Sequence, residues 1–451
     1  MKFVVVGTSH YGYEAAQTLL KYYPESEIHL YERGDKASFL SCGIQSYLED
    51  IAPSLDSLHY ANEESYKKQG INIHVNSDVV ALDPEAKEIT VKTADGESKQ
   101  SYDKLFLSPG ANPAELPVDG TDLEEVYYMR GPVWAGKIKE RMETAKKVVV
   151  IGAGYIGFEA AESFARKGID TKLVEFKDHI LPTYLDKEIT DVLEENAQKH
   201  GLDIHTGEGV KEIIGENGKV SKVVTDKGEY EADTVVIALG IKPNTDWLRD
   251  AIDVDDRGFV AIDEYTETSA KDVFAGGDAT FIPYGPDHSK KSIALATNAR
   301  KQAVVSVKNA EEKTVKQGEI NGTSALPVFD YTIATTGLND STAEASDLDF
   351  ASHYYEEKLL PDFRGEEHTV HMKITYEKDS HRILGGQLAS TADISHAINT
   401  LSIAIASEWT LEQLATADFF FQPSYDRPWH FLNVLAQQAL NDAYGSDQMI
   451  F

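Results

Sequence analysis

An unbroken apolar run, Phe3 to Val6, ends at Gly7. Apolar residues then recur at helical spacing from Tyr13 to Tyr22, and a second strand-like stretch spans Ile28 to Glu32. A short continuous run predicts a strand buried on both faces, and a 3.6-residue period predicts a helix packed against it. Strand, glycine turn, helix and strand make a βαβ unit. The same order returns at residues 146–176, "KKVVVIGAGYIGFEAAESFARKGIDTKLVEF". Two such units predict two nucleotide-binding domains. Strand-like stretches "INIHVNSDVVALD", "KEITVKT" and "YDKLFLSPGANP" lie between them, and "YEADTVVIALGIKPNTDWL" closes the second unit in a similar way. From about Ala325 the texture changes. Strands such as "HTVHMKITYE" and "RILGGQLAS" precede two helical stretches, which predicts a third domain.

Length agrees, since 451 residues exceed one ordinary core. Lys plus Arg number 43 against 75 Asp plus Glu, a net charge of −32. That balance disfavours nucleic acid and anionic membranes as partners. Apolar runs such as "KVVVIGAG" are far too short to span a bilayer, and the N-terminus does not read as a signal peptide. The single cysteine cannot form an internal disulfide, which fits a reducing, cytoplasmic setting.

The second unit carries Gly152, Gly154 and Gly157 as G-x-G-x-x-G between strand and helix. The first glycine permits the tight turn, the second admits a pyrophosphate to the backbone, and the third lets helix and strand pack closely. Glu175 ends the next strand, where a carboxylate binds both ribose hydroxyls and repels a 2′-phosphate. Phe176 rather than an arginine follows, so NADH is expected over NADPH. The first unit keeps Gly7 and Gly12 but has Ser9 at the middle position, and Glu32 ends its second strand. Further on, "TSAKDVFAGGDAT" places Asp278 after a short strand, where an acid can bind a polyol hydroxyl such as that of a flavin ribitol.

Cys42 lies in "SFLSCGIQSYL". Leu40, Ile44 and Leu48 are spaced four apart, which predicts a short helix with Cys42 in its first turn. Helix amides there would lower the thiol pKa. With no second thiol in the chain, Cys42 can cycle only as a sulfenic acid, as a mixed disulfide with a small thiol, or across a subunit boundary. His10 lies in the first glycine turn and is a candidate acid/base or hydrogen-bond donor. The remaining histidines make no metal set.

Together these residues resemble the FAD-dependent pyridine nucleotide-disulfide oxidoreductases along the whole chain, in their single-cysteine branch. "SFLSCG", "YDKL", "GYIG", "YLDKEITDVL", "LATNARKQ" and "DFFFQP" carry the resemblance. It implies an α/β fold of two Rossmann-like dinucleotide-binding domains, for FAD and NAD, plus a C-terminal α+β interface domain. The expected boundaries are 1–112 with 245–320 for FAD, 113–244 for NAD, and 321–451 for a dimerisation domain. It implies catalytic roles for Cys42, His10 and Arg300. It assigns FAD contacts to Gly7, Gly12, Glu32, Ser108 and Gly110, and to Arg130, Asp278, Leu295 and Ala296. NADH contacts fall on Gly152, Gly154, Ile156 and Gly157, and on Glu175, Tyr184 and Gly240, with Tyr155 as a ring covering the flavin. The activity it implies first is NADH peroxidase, reducing hydrogen peroxide through a cysteine sulfenic acid. The alternatives are a water-forming NADH oxidase reducing oxygen, a coenzyme A-disulfide reductase, or a redox sensor of low turnover. A homodimer or homotetramer is expected, with no metal. Gln422 stands before Pro423 where paired-cysteine relatives place a histidine, which fits sulfenic acid chemistry.

Overall fold

The computed structural model describes residues 1–444. Its first sheet is parallel, in the order Val273–Ala275, Lys104–Leu107, Lys2–Val6, Glu27–Tyr31, Asn72–His74. The central strand explains its own sequence. Phe3 and Val5 pack with the helices His10–Tyr22 and Ala296–Lys308. Val4 and Val6 face the opposite side and pack with residues of the antiparallel strands Asp78–Asp83 and Glu88–Thr93. Both faces are covered, so every position is apolar rather than every second one.

The second sheet repeats the plan: Leu202–His205, Asp170–Val174, Lys147–Ile151, Thr234–Ile237, Val126–Tyr128, again parallel. Helix Tyr155–Arg166 covers one face, and a three-stranded antiparallel sheet within residues 210–231 covers the other. The chain passes between the two sheets through a two-stranded ribbon, Ala111–Pro113 with Ile241–Pro243.

The third sheet is antiparallel: Ser324–Val328, Tyr331–Gly337, Ile383–Ser390, Thr369–Glu377, Phe350–Lys358. Helices Ala397–Ala406, Leu411–Ala415 and Phe431–Tyr444 pack with it in one core. The sequence reading expects two helices after these strands; among the described residues three follow, the middle one only five residues long, and a fourth short helix, Asp340–Glu344, precedes strand Phe350–Lys358. Leu326, Val328, Phe329 and Ile333 share a core with helix Tyr155–Arg166, so the third domain is seated on the second.

Two glycines are fixed by close packing. A Cβ on Gly12 would lie 1.8 Å from the Gly7 carbonyl oxygen, and one on Gly157 would lie 1.8 Å from that of Gly152. Only hydrogen fits at either crossing. No described helix is long and apolar enough to cross a membrane.

Candidate functional site

Both glycine turns lie at the carboxyl ends of their central strands, where open α/β sheets bind ligands. Gly7 and Gly152 take φ of +90° and +96°, left-handed values that glycine adopts freely. The following helices begin at His10 and Tyr155, and neither N-cap residue, Ser9 or Gly154, supplies a capping side chain. Their first amides are left for an anionic ligand. A Cβ on Gly154 would meet nothing within 4 Å, so the turn is open on that side.

Each strand-end acid holds its turn. Glu32 lies just beyond Glu27–Tyr31 and accepts from Thr8 Oγ1 at 2.5 Å and from the Gly34 amide at 2.8 Å. Glu175 lies just beyond Asp170–Val174, is nearly buried, and accepts from the Ala153 amide at 2.7 Å and the Lys177 amide at 2.8 Å. Each carboxylate oxygen has a second acceptor site, so both acids can still receive ribose hydroxyls. An uncapped helix end, a glycine turn and an acid just beyond the adjacent strand, buried at Glu175 and partly buried at Glu32, fit a dinucleotide at each turn.

Around the first turn the expected residues gather at one sheet edge. Ser108 follows Lys104–Leu107, and Gly110 takes φ +63° at the ribbon. Asp278 sits in the 3₁₀ turn Gly277–Ala279, and its carboxylate receives Arg130 at 2.8 Å. Leu295 and Ala296 open the uncapped helix that carries Arg300. Around the second turn, Ile156 and Gly157 lie in the first helical turn, and Gly240 takes φ +100° beyond Thr234–Ile237. Tyr155 and Tyr184 stack face to face, ring centroids 3.7 Å apart and 6° from parallel, and the Tyr155 hydroxyl meets Ser324 Oγ at 2.8 Å.

The thiol lies where residues of both units meet, since its titration feels Asp278 of the first and Glu159 of the second. Cys42 keeps exposed surface as a residue, yet enough protein surrounds its sulfur to desolvate the thiol in part. It sits in a 3₁₀ turn, Ser41–Gly43, and the α-helix, Ile44–Leu48, begins only after it. The expectation of a thiol in a helical first turn with a lowered pKa is therefore corrected. Burial of the sulfur pushes the pKa up, and the charges of Glu159 and Asp278 push it further. A backbone amide and Arg130 oppose this but do not win. Desolvation and two carboxylates outweigh the local dipole.

His10 is the first residue of its helix, not part of the turn as expected. Burial and then the Arg300 charge lower its pKa, so the imidazole is neutral at pH 7. Among the described residues its Nδ1 is buried without a partner. The ring stacks on Tyr60 at 5.5 Å. Arg300 lies over Tyr13 and Tyr60 at 5.0 and 5.6 Å and pairs with Glu14 at 2.9 Å. Tyr60 is held at about 12, first by desolvation, and its titration also feels Arg300 and Cys42. Cys42, His10, Arg300, Arg130 and Asp278 thus share one neighbourhood.

The sequence reading missed Thr8, Glu14, Tyr60 and Glu159. Burial, then Glu162 and Glu49, push Glu159 up to about 7. Two of the four carry a sequence signal. Glu14 is four residues from His10 and Glu159 four from Tyr155, spacings that share a helix face. Among the described residues no group of three His, Cys, Asp or Glu is placed to hold a metal ion.

Known proteins agree with this geometry. The pattern of the pyridine nucleotide-disulphide oxidoreductases matches residues 1–303, and that of the dimerisation domain of the same family matches residues 323–430. An NADH oxidase of Enterococcus faecalis is 39% identical over 445 residues, covering 98% of this chain and all of its own. A CoA-dependent NAD(P)H sulfur oxidoreductase of Pyrococcus abyssi is 30% identical over 96% of this chain and 97% of its own. The solved structure of a water-forming NADH oxidase from Lactobacillus brevis, bound to NADH, superposes with a TM-score of 0.95 at 36% identity, covering 99% of both chains. These relatives favour the oxidase alternative over the peroxidase expected first. From its paired nucleotide turns to its C-terminal sheet, the chain belongs to the pyridine nucleotide-disulphide oxidoreductase family.

Proposed function

We propose that this protein is a water-forming NADH oxidase that holds FAD at the first glycine turn and NADH at the second. The observation that carries this reading is a lone thiol and an imidazole that both feel Asp278, with an anchored guanidinium next to the imidazole, in a chain with two dinucleotide turns. The end-to-end similarity to proteins named NADH oxidase supports oxygen as acceptor. Bound FAD would accept the hydride of NADH and pass electrons on to the acceptor.

The chain's own residues then divide the work. Glu175 and the Gly152–Gly157 turn bind NADH, and Tyr155 with Tyr184 stands at the nicotinamide entrance. Glu32, Asp278 and Arg130 hold FAD, together with the uncapped amides of the helix at His10. Four electrons from two NADH take one oxygen molecule to two waters, and Cys42 acts at the peroxide stage. The sulfur of Cys42 attacks one peroxide oxygen as its thiol proton departs. The S–O bond forms as the O–O bond breaks, and the leaving hydroxide takes the proton released by the thiol to become water. Arg300 stabilises that hydroxide, and neutral His10 orients the peroxide by hydrogen bonding. The resulting sulfenic acid is reduced by two electrons originating from NADH, which releases the second water. No second thiol in the chain can trap it as a disulfide.

The test is stoichiometric. Wild type should consume two NADH per oxygen and release no peroxide. Cys42→Ser should keep FAD and consume one NADH per oxygen, releasing hydrogen peroxide instead. Anaerobic turnover with peroxide faster than aerobic turnover with oxygen would return the peroxidase reading. Water formation undiminished in Cys42→Ser would remove the cysteine from the reaction.

A further inference from the structure

Residues 181–186 carry Tyr184, yet many of their polar contacts go to the C-terminal domain. Thr335 Oγ1 donates to the Tyr184 carbonyl at 3.0 Å, and Asn339 Nδ2 donates to the Pro182 carbonyl at 3.2 Å. The Asp186 amide donates to Gln387 Oε1 at 2.7 Å, and Gln387 Nε2 returns a bond to the Asp186 carboxylate at 2.6 Å. Tyr155, the other ring of the stack, is tied through its hydroxyl to Ser324 of the same domain.

At the centre of these contacts is Lys373, only 2% exposed. Its ammonium meets Asp340 at 2.7 Å, Glu188 at 2.9 Å and Asp186 at 3.2 Å. Asp186 and Glu188 stand at the start of helix Lys187–Lys199, and Lys373 and Asp340 belong to the C-terminal domain. A buried ammonium is tolerated only with close counter-charges. Two of the three here, Asp186 and Glu188, come from the nucleotide-domain side of the boundary, and Asp186 is itself buried, so the ion pairs tie the two sides together. Domain interfaces within one chain are commonly loose, and this one is clamped beside the tyrosine stack.

We propose that Lys373, Gln387 and Thr335 are positioning residues for NADH: through residues 181–186 they fix the Tyr155–Tyr184 stack that the nicotinamide has to open. This rests on the reading of those tyrosines as the nicotinamide entrance. The C-terminal domain thus sets how readily hydride enters the enzyme.

Three variants of the FAD-loaded enzyme test this. Thr335→Val removes one bond and no charge, Lys373→Met removes the hub, and Lys373→Arg retains the charge. Stopped-flow absorbance measures FAD reduction by NADH, FAD reduction by dithionite, and reoxidation by oxygen. Calorimetry measures NAD⁺ affinity. The expected result is reduction by NADH changed about tenfold in Lys373→Met, and in the same direction but less in Thr335→Val. NAD⁺ affinity should shift with it, dithionite reduction and reoxidation should not change, and Lys373→Arg should recover most of the wild-type rate. Unchanged reduction by NADH in folded Thr335→Val and Lys373→Met overturns the proposal. So does a parallel fall of all three rates, which marks general loosening. If Lys373→Met does not retain FAD, Thr335→Val decides alone. Failure of wild type to be reduced by NADH would instead refute the oxidase reading.

Discussion

Cys42 is chemically legible in the sequence, because a lone cysteine in a nucleotide-binding chain restricts the redox states open to it. Its acidity is not legible. Burial raises it first, and the carboxylates that add to it, Glu159 and Asp278, lie more than a hundred residues away, so only the fold brings either effect to the sulfur. Alkylation of the flavin-free protein by iodoacetamide should therefore accelerate with pH about a midpoint above that of a free thiol. Glu159→Gln should bring that midpoint down, and an unmoved midpoint would show that the sulfur does not feel this carboxylate. Glu159 also ties stability to pH. Its folded-state pKa, about 7, lies above the ordinary 4.5, so the folded protein holds this proton more tightly than the unfolded chain. The associated stability is complete below pH 4.5 and is lost as pH rises through about 7. Glu159→Gln should flatten this part of the stability curve, as read from urea midpoints across the same range. Charged neighbours elsewhere contribute their own slopes, so the comparison is between variant and wild type.

The βαβ elements were readable because everything that makes them is local: apolar runs, a glycine turn, an acid at the next strand's end. Their edges were less so. The first helix begins three residues before the sequence reading, since His10 enters it without a side-chain cap. Around Cys42 the spacing of Leu40, Ile44 and Leu48 suits one short helix and equally suits the 3₁₀ turn and five-residue helix observed. The two kinds of glycine in the second turn should separate in experiment. Gly157→Ala forces a methyl against the Gly152 carbonyl, a backbone group that cannot step aside, and should cost at least about 1–3 kcal/mol of stability. Gly154→Ala meets no atom of the described residues within 4 Å. It should melt near wild type while binding NADH more weakly, because the methyl occupies the pyrophosphate's approach. Equal melting losses in both variants would contradict this division. Glu175→Ala should narrow the preference for NADH over NADPH, measured as the ratio of kcat/KM values. It should also loosen the turn, because the Ala153 amide loses its acceptor.

Across the whole molecule, three domains and their order could be read from texture alone, while the way they lock together could not. Lys373 in "HTVHMKITYE" looks like an outward lysine of an ordinary strand, and only tertiary structure shows it buried between domains. The aromatic segment "DFFFQPSYDRPW" is split: Phe419 packs on the third core, while Phe420, Phe421, Tyr425 and Trp429 stay 47–68% exposed. So many large rings facing outward, in a domain matched by a dimerisation pattern, predict a homo-oligomer. Light scattering should give twice or four times the chain mass, and Phe421→Asp with Tyr425→Asp should reduce it; a monomeric wild type with full activity would count against the interface. The first sheet has a consequence for biosynthesis. Its strand Lys104–Leu107 gains its outer neighbour, Val273–Ala275, only after the entire second nucleotide domain has been made. On the ribosome, a nascent chain must carry a sheet that lacks one of its five strands, with a bare, apolar edge, while more than 160 further residues emerge, so chaperone demand should peak midway through translation and fall once Ala275 is clear.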